Sequence, residues 1–133
     1  MQRSATKNFD WKEFYCPEEK ELRVSDLTLF HIGLLQKLRE QFGNPLKVNS
    51  GYRSREHNRR VGGAKRSMHL EFATDIAPTK NNTMDVLDEI AGLAEDLGFS
   101  GIGRYKTFVH LDCRDFIARP PARWDHRSDD YKT

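Results

Sequence analysis

The chain has 133 residues, 37% hydrophobic and 32% charged, and its 22 Lys and Arg against 20 Asp and Glu leave a net charge of +2. That length suits one ordinary domain, and 8 Phe, 4 Tyr and 2 Trp supply bulky core residues, which excludes disorder driven by charge and low hydrophobicity. The longest apolar runs, such as residues 32–35, fall far short of the roughly 20 residues that span a bilayer, so no membrane insertion is expected.

The first eleven residues contain no apolar h-region, and the expectation is synthesis in a cytoplasm without a signal peptide. Asn8 or Asp10 is placed to cap a short helix through Trp11, Phe14 and Tyr15, which Pro17 stops. Ser25 and Asp26 begin an amphipathic helix over residues 27–42, with apolar residues at three- and four-residue spacings and Gly43 at its end. Residues 46–49 alternate as a short strand and deliver a turn that presents Tyr52 and Arg53. Ser54 caps a helical stretch through Arg59, broken by Gly62 and Gly63, and a loop follows.

Residues 72–77 read as a buried strand stopped by Pro78. Asn82 or Thr83 then caps a helix over residues 84–97, closed by Gly98. Residues 101–105 and 107–113 read as a hairpin joined at Lys106. From Arg119 the chain is polar, with Trp124 expected to dock. This order predicts an α+β fold with a small, mainly antiparallel sheet and helices packed on it. One domain over residues 8–124 is expected, with residues 1–7 and 125–133 as polar, frayed tails. Cys16 and Cys113 form no CxxC motif and are expected to be free, buried thiols.

Among five histidines, His69 and His110 are informative because each lies near an aspartate in or beside a predicted strand, Asp75 and Asp112. Catalytic zinc takes three protein ligands from His, Asp or Glu and leaves a fourth position for water. His69, Asp75 and His110 supply that number. Spacing alone leaves the alternative open, since a histidine is more often an ordinary hydrogen-bonded residue than a ligand.

The linked motifs carry more weight. Ser50-Gly51-Tyr52-Arg53-Ser54, His57-Asn58, Val61-Gly62-Gly63-Ala64, Ser67-Met68-His69-Leu70, Ala73-Thr74-Asp75-Ile76, Gly101-Ile102-Gly103-Arg104-Tyr105 and Phe108-Val109-His110-Leu111-Asp112 follow one another in the chain. In this order they resemble the zinc D-Ala-D-Ala carboxypeptidase family, which includes phage L-alanyl-D-glutamate endopeptidases and shares its fold with the hedgehog signalling domain and the vancomycin-resistance dipeptidases. The resemblance implies a hedgehog/DD-peptidase-like fold and a zinc metallopeptidase of peptidoglycan stem peptides. It further implies Zn2+ on His69, Asp75 and His110, Arg53 as the substrate-side arginine, and action at the cell wall or periplasm, as in a phage lysis or virion protein. Ser67, two residues before His69, is the candidate for orienting that ligand or its loop and for contacting substrate.

Two departures from the family pattern stand out. Relatives have seven positions from the first histidine to the aspartate, whereas His69 to Asp75 is six, with Phe72 near the usual glycine. A one-residue shift turns a strand side chain to the opposite face unless the connection compensates. Relatives of the endopeptidase and dipeptidase type also carry an acidic base three residues before the last histidine, where this chain has Thr107. Asp112, on the same strand face as His110 by the period of two, becomes the candidate proton carrier or orienting carboxylate, and Glu71 is a second carboxylate to weigh.

Residues 53–66 carry Arg53, Arg55, Arg59, Arg60, Lys65 and Arg66 against Glu56. Without interleaved aromatics or a nucleic-acid motif, this run reads as solvated charge or attraction to an anionic wall, and nucleic acid is disfavoured. A monomeric zinc peptidase is the resulting expectation. The competing one is a non-catalytic, zinc-containing peptidoglycan-binding or assembly module.

Overall fold

The computed structural model describes residues 4–128. Its backbone forms three α-helices, α1 (Asp26–Phe42), α2 (Arg55–Arg60) and α3 (Met84–Leu97), and five strands. The strands are β1 (Leu46–Ser50), β2 (Ala73–Pro78), β3 (Gly101–Arg104), β4 (Val109–Asp112) and β5 (Ala122–Asp125), in sheet order β1-β2-β4-β3-β5. The fold class is α+β, as expected, and the first predicted helix is a single 3-10 turn, Trp11–Phe14, capped by Asp10.

The helix boundaries follow the local chemistry. Ser25 accepts from the Thr28 amide and Thr28 answers at the Ser25 amide, a reciprocal cap that starts α1. Thr83 caps α3, while Asn82 is used elsewhere, donating to the Thr107 carbonyl. Both long helices stop at glycines in the left-handed region, Gly43 at φ 77° and Gly98 at φ 99°, where a side chain is disfavoured. Neither helix is long and apolar enough to cross a membrane.

Three of the four strand pairings are antiparallel, and the fourth is parallel. β5 pairs with β3 in the same direction, Gly103 opposite Trp124. The sequence expectation ended the domain at Trp124 and left residue 125 onward frayed, but β5 includes Asp125, and the His126 amide bonds the Arg104 carbonyl. Arg127 extends this anchorage to Asp88 on α3. At the other end, Thr6 and Asn8 bind the Gln36 side chain of α1, so part of the expected N-terminal tail is pinned too. Residues 129–133 and 1–3 of the expected tails lie outside the described residues.

The core lies between the sheet and the helices α1 and α3, with Leu35, Leu38, Ile76, Ile90, Phe99, Ile102 and Leu111 fully enclosed. The N-terminal segment packs Phe9 against Phe14 and Phe14 in turn against Phe72. Cys16 and Cys113 are both free and buried, and burial pushes the Cys113 thiol up to about 12. Cys113 sits beside a buried histidine, His31, whose Nε2 bonds the Thr74 hydroxyl at 2.9 Å and whose ring packs edge-on against Phe72 and Phe99.

Burial holds His31 at about 3, far below its ordinary value, so the native state excludes a proton that the unfolded chain binds below about pH 6.5. Stability from this group is complete above that pH and is lost as pH falls toward 3. Between pH 7 and 5.5 the linkage amounts to about 1 kcal/mol. Urea midpoints are expected to drop more steeply over that interval for the wild type than for His31→Gln, and parallel profiles would contradict the assignment.

Candidate metal centre

Asp75 on β2 stands directly opposite His110 on β4, so the two side chains leave the same face of the sheet. Asp75 Oδ1 lies 3.1 Å from His110 Nδ1 and 3.3 Å from His69 Nε2, and the three donor atoms fall within 4.8 Å of one another. All three residues are buried. His69 rides on a 3-10 turn, Met68–Leu70, and Glu71 and Phe72 lead from it into β2. That compact turn absorbs the six-residue spacing, and Asp75 faces its two histidines.

Each imidazole is fixed through its other nitrogen. His69 Nδ1 lies 2.7 Å from the Gly51 carbonyl, and His110 Nε2 lies 2.7 Å from Asp112 Oδ2. A carbonyl and a carboxylate only accept, so each holds a proton on the nitrogen remote from the cluster and turns the inner nitrogen toward Asp75, where a bound cation would take the place of any proton it carries. Asp112 is fully buried and receives a two-pronged grip from Arg114, at 2.9 Å on Oδ1 and 2.7 Å on Oδ2. It therefore lies behind His110, on the far side of the ring from Asp75.

Charge balance fits a cation. Burial works to raise the Asp75 carboxyl, yet His69 and His110 outweigh it and hold Asp75 well below the ordinary carboxylate range. Burial likewise works against a charge on His110, but hydrogen bonds to Asp112 and Asp75 win and lift it to about 9. Burial pushes His69 below its ordinary value despite Asp75. The cluster thus combines one neutral imidazole, one ionised carboxylate and a position that attracts positive charge. Two imidazoles and a carboxylate with anchored outer nitrogens suit zinc with an open side.

That open side meets a cavity of about 360 Å3 in which His110 is joined by Ser67, Tyr105, Arg114, Trp124 and His126. The sequence reading had expected Trp124 to dock but missed its place in this wall, and missed Tyr105, Arg114 and His126. The signal was present in β3. A Cβ at Gly103 would collide with the Trp124 indole, and one at Gly101 would collide with the Asp112 carboxylate. These two positions stay bare so that two neighbouring strands can lay functional side chains across β3.

The remaining expected residues are dispersed. Arg53 is buried and reaches Asp75 Oδ2 at 3.9 Å, with further bonds to Ser50 and Asn58. Ser67 caps the turn that carries His69 by accepting from the His69 amide at 3.2 Å. Glu71 is exposed and outside the donor cluster, and Thr107 is exposed on the β3–β4 turn.

A family model described as Peptidase M15 matches residues 7–112 of the chain. No curated protein matches it.

With the Asp112 carboxylate wedged against Gly101, Gly101→Ala is expected to displace that carboxylate and release His110. The expected cost is about 1–3 kcal/mol of stability, with zinc affinity falling roughly 10–100-fold. Denaturant unfolding and a competitive zinc titration check both numbers, and unchanged zinc affinity would separate Asp112 from the metal centre.

Proposed function

The chain belongs to the peptidase M15 family, and from that premise we propose that it is a zinc-dependent peptidase acting on peptidoglycan stem peptides that contain D-amino acids. One observation carries the reading: three donors from His69, Asp75 and His110 converge beside a cavity that His110 lines, while the outer nitrogens of both imidazoles are already satisfied. When bound, zinc supplies Lewis acidity toward a peptide carbonyl and toward water.

The chain's own residues do the rest. Asp112 is a positioning residue: it holds the His110 Nε2 proton and fixes the ring, and Arg114 keeps that carboxylate from turning away. Arg53 faces both Asp75 and the recess beside the cleft, where its guanidinium pairs with a substrate carboxylate or steadies the scissile carbonyl as charge develops. Tyr105 accepts from the Trp124 indole at 2.9 Å, which leaves its own hydroxyl proton to donate into the cleft. Burial holds that phenol above its ordinary value, so it stays protonated as a donor. Action at the cell wall, in the manner of a phage lysis or virion enzyme, is part of the same proposal.

One observation favours a second reading. Among the described residues lining the cavity there is no carboxylate, since Asp112 is committed behind His110 and Thr107 is exposed. A zinc-containing peptidoglycan-binding module without turnover fits that lack of a carboxylate base. Elemental analysis of wild type and His110→Ala, followed by mass spectrometry of purified muropeptides with and without chelator, decides between them. The expected result is near-stoichiometric zinc lost in the variant, with chelator-sensitive cleavage. Zinc without cleavage supports the binding module, and a wild type free of zinc overturns both.

A further inference from the structure

Beside the metal centre lies a second recess, of about 260 Å3, whose cations other than Arg53 have no part in the chemistry proposed above. Arg23, Arg53, Arg55, Lys65, Arg66 and Arg119 line it, and Glu71 is the acid among its described lining residues. Among the described residues Arg53 is paired with Asp75, but Arg23, Arg55, Lys65 and Arg66 meet no carboxylate. Arg119 donates to the Arg66 carbonyl at 3.0 Å, which orients its guanidinium and leaves its charge uncompensated.

This excess of positive charge exceeds the +2 carried by the entire chain. It is also produced by the fold, because its members come from before α1, from the start of α2, from the loop before His69 and from the segment before β5. Of the two cations of the same basic run outside the recess, Arg60 is spent on Glu18 and Glu56. Gathering cations without partners costs free energy through mutual repulsion, and an anionic ligand removes that cost.

We propose that this recess is an anion subsite that binds a carboxylate of the peptide substrate remote from the scissile bond, so that the preferred substrate is an acidic peptide with at least two carboxylates. The inference rests on the peptidase reading and specifies its substrate class. Arg66, Ser67 and Arg119 line both this recess and the cavity at His110, so a peptide lying across the metal centre continues into it. The recess has room for one side chain, and guanidinium forks match the planar oxygens of a carboxylate. A polymer of phosphates needs instead a long basic track, and the basic residues here close around a pocket.

The test uses the full chain and two fluorescent stem peptides, identical except that every carboxylate other than the C-terminal one is free in the first and amidated in the second. Anisotropy titrations in zinc-containing buffer are run on wild type, on Lys65→Gln/Arg66→Gln, and on Arg59→Gln, which removes a cation of the same run outside the recess. The free-carboxylate peptide is expected to bind wild type and Arg59→Gln about tenfold more tightly than its amide, and that preference is expected to vanish in the double variant. Equal binding of both peptides by wild type overturns the proposal. So does a poly(glycerol phosphate) oligomer, or a DNA oligonucleotide, that displaces the peptide at lower concentration than the free peptide itself. Cleavage followed in parallel keeps the two readings apart: discrimination without cleavage removes only the peptidase, and cleavage without discrimination removes only the subsite.

Discussion

The cross-strand pair of Asp75 and His110 is the constraint on which the site depends. A buried carboxylate is costly unless it is compensated, and here the compensation comes from His69, His110 and Arg53. Each of these partners is fixed from a different direction. His69 leans on the carbonyl of Gly51 at the end of β1, His110 leans on Asp112, and Arg53 reaches Ser50 and Asn58. The pairings of β1 with β2 and of β2 with β4 set these supports, so the centre of the sheet and the donor cluster form one mechanical unit.

A second layer of order follows from β3. Its bare glycines admit Asp112 from one neighbouring strand and Trp124 from the other, and Arg114 closes the gap by gripping Asp112 while stacking over the Trp124 ring at 5.0 Å. The residue that fixes a candidate metal donor and the residue that walls the cleft are therefore held by one guanidinium. Electrostatics within the donor cluster and the shape of the cavity are coupled through that contact.

Much of this was legible in the sequence, for identifiable reasons. The candidate donors sit in short motifs around Ser67, Asp75 and His110, and caps and glycines marked the long helices at Ser25, Gly43, Thr83 and Gly98. The unread portion depends on residues far apart in the chain. Ala122 to Asp125 is only four residues long, half exposed and directly after two prolines, so its apolar–polar alternation is too short to mark a strand, and its parallel pairing with β3 depends on distant chain. Arg23 and Arg119 come beside Arg66 only through folding, which is why the basic run read as a solvated face. The six-residue gap from His69 to Asp75 looked like a misplaced strand side chain because the tight turn at Met68–Leu70 was not foreseeable from spacing.

The late arrival of β5 divides the molecule's labour. The three candidate donors belong to β2, β4 and the turn before β2, whereas β5 supplies none and contributes Trp124 to the cavity wall. An edge strand tolerates sequence change more readily than the strands it flanks. Substitutions in the segment of residues 119–126 that spare the contact of Trp124 with Arg114 can thus reshape the cleft wall while the donor cluster keeps its geometry. Wall and donors are separable inheritances in this fold except at that one guanidinium, written in different strands.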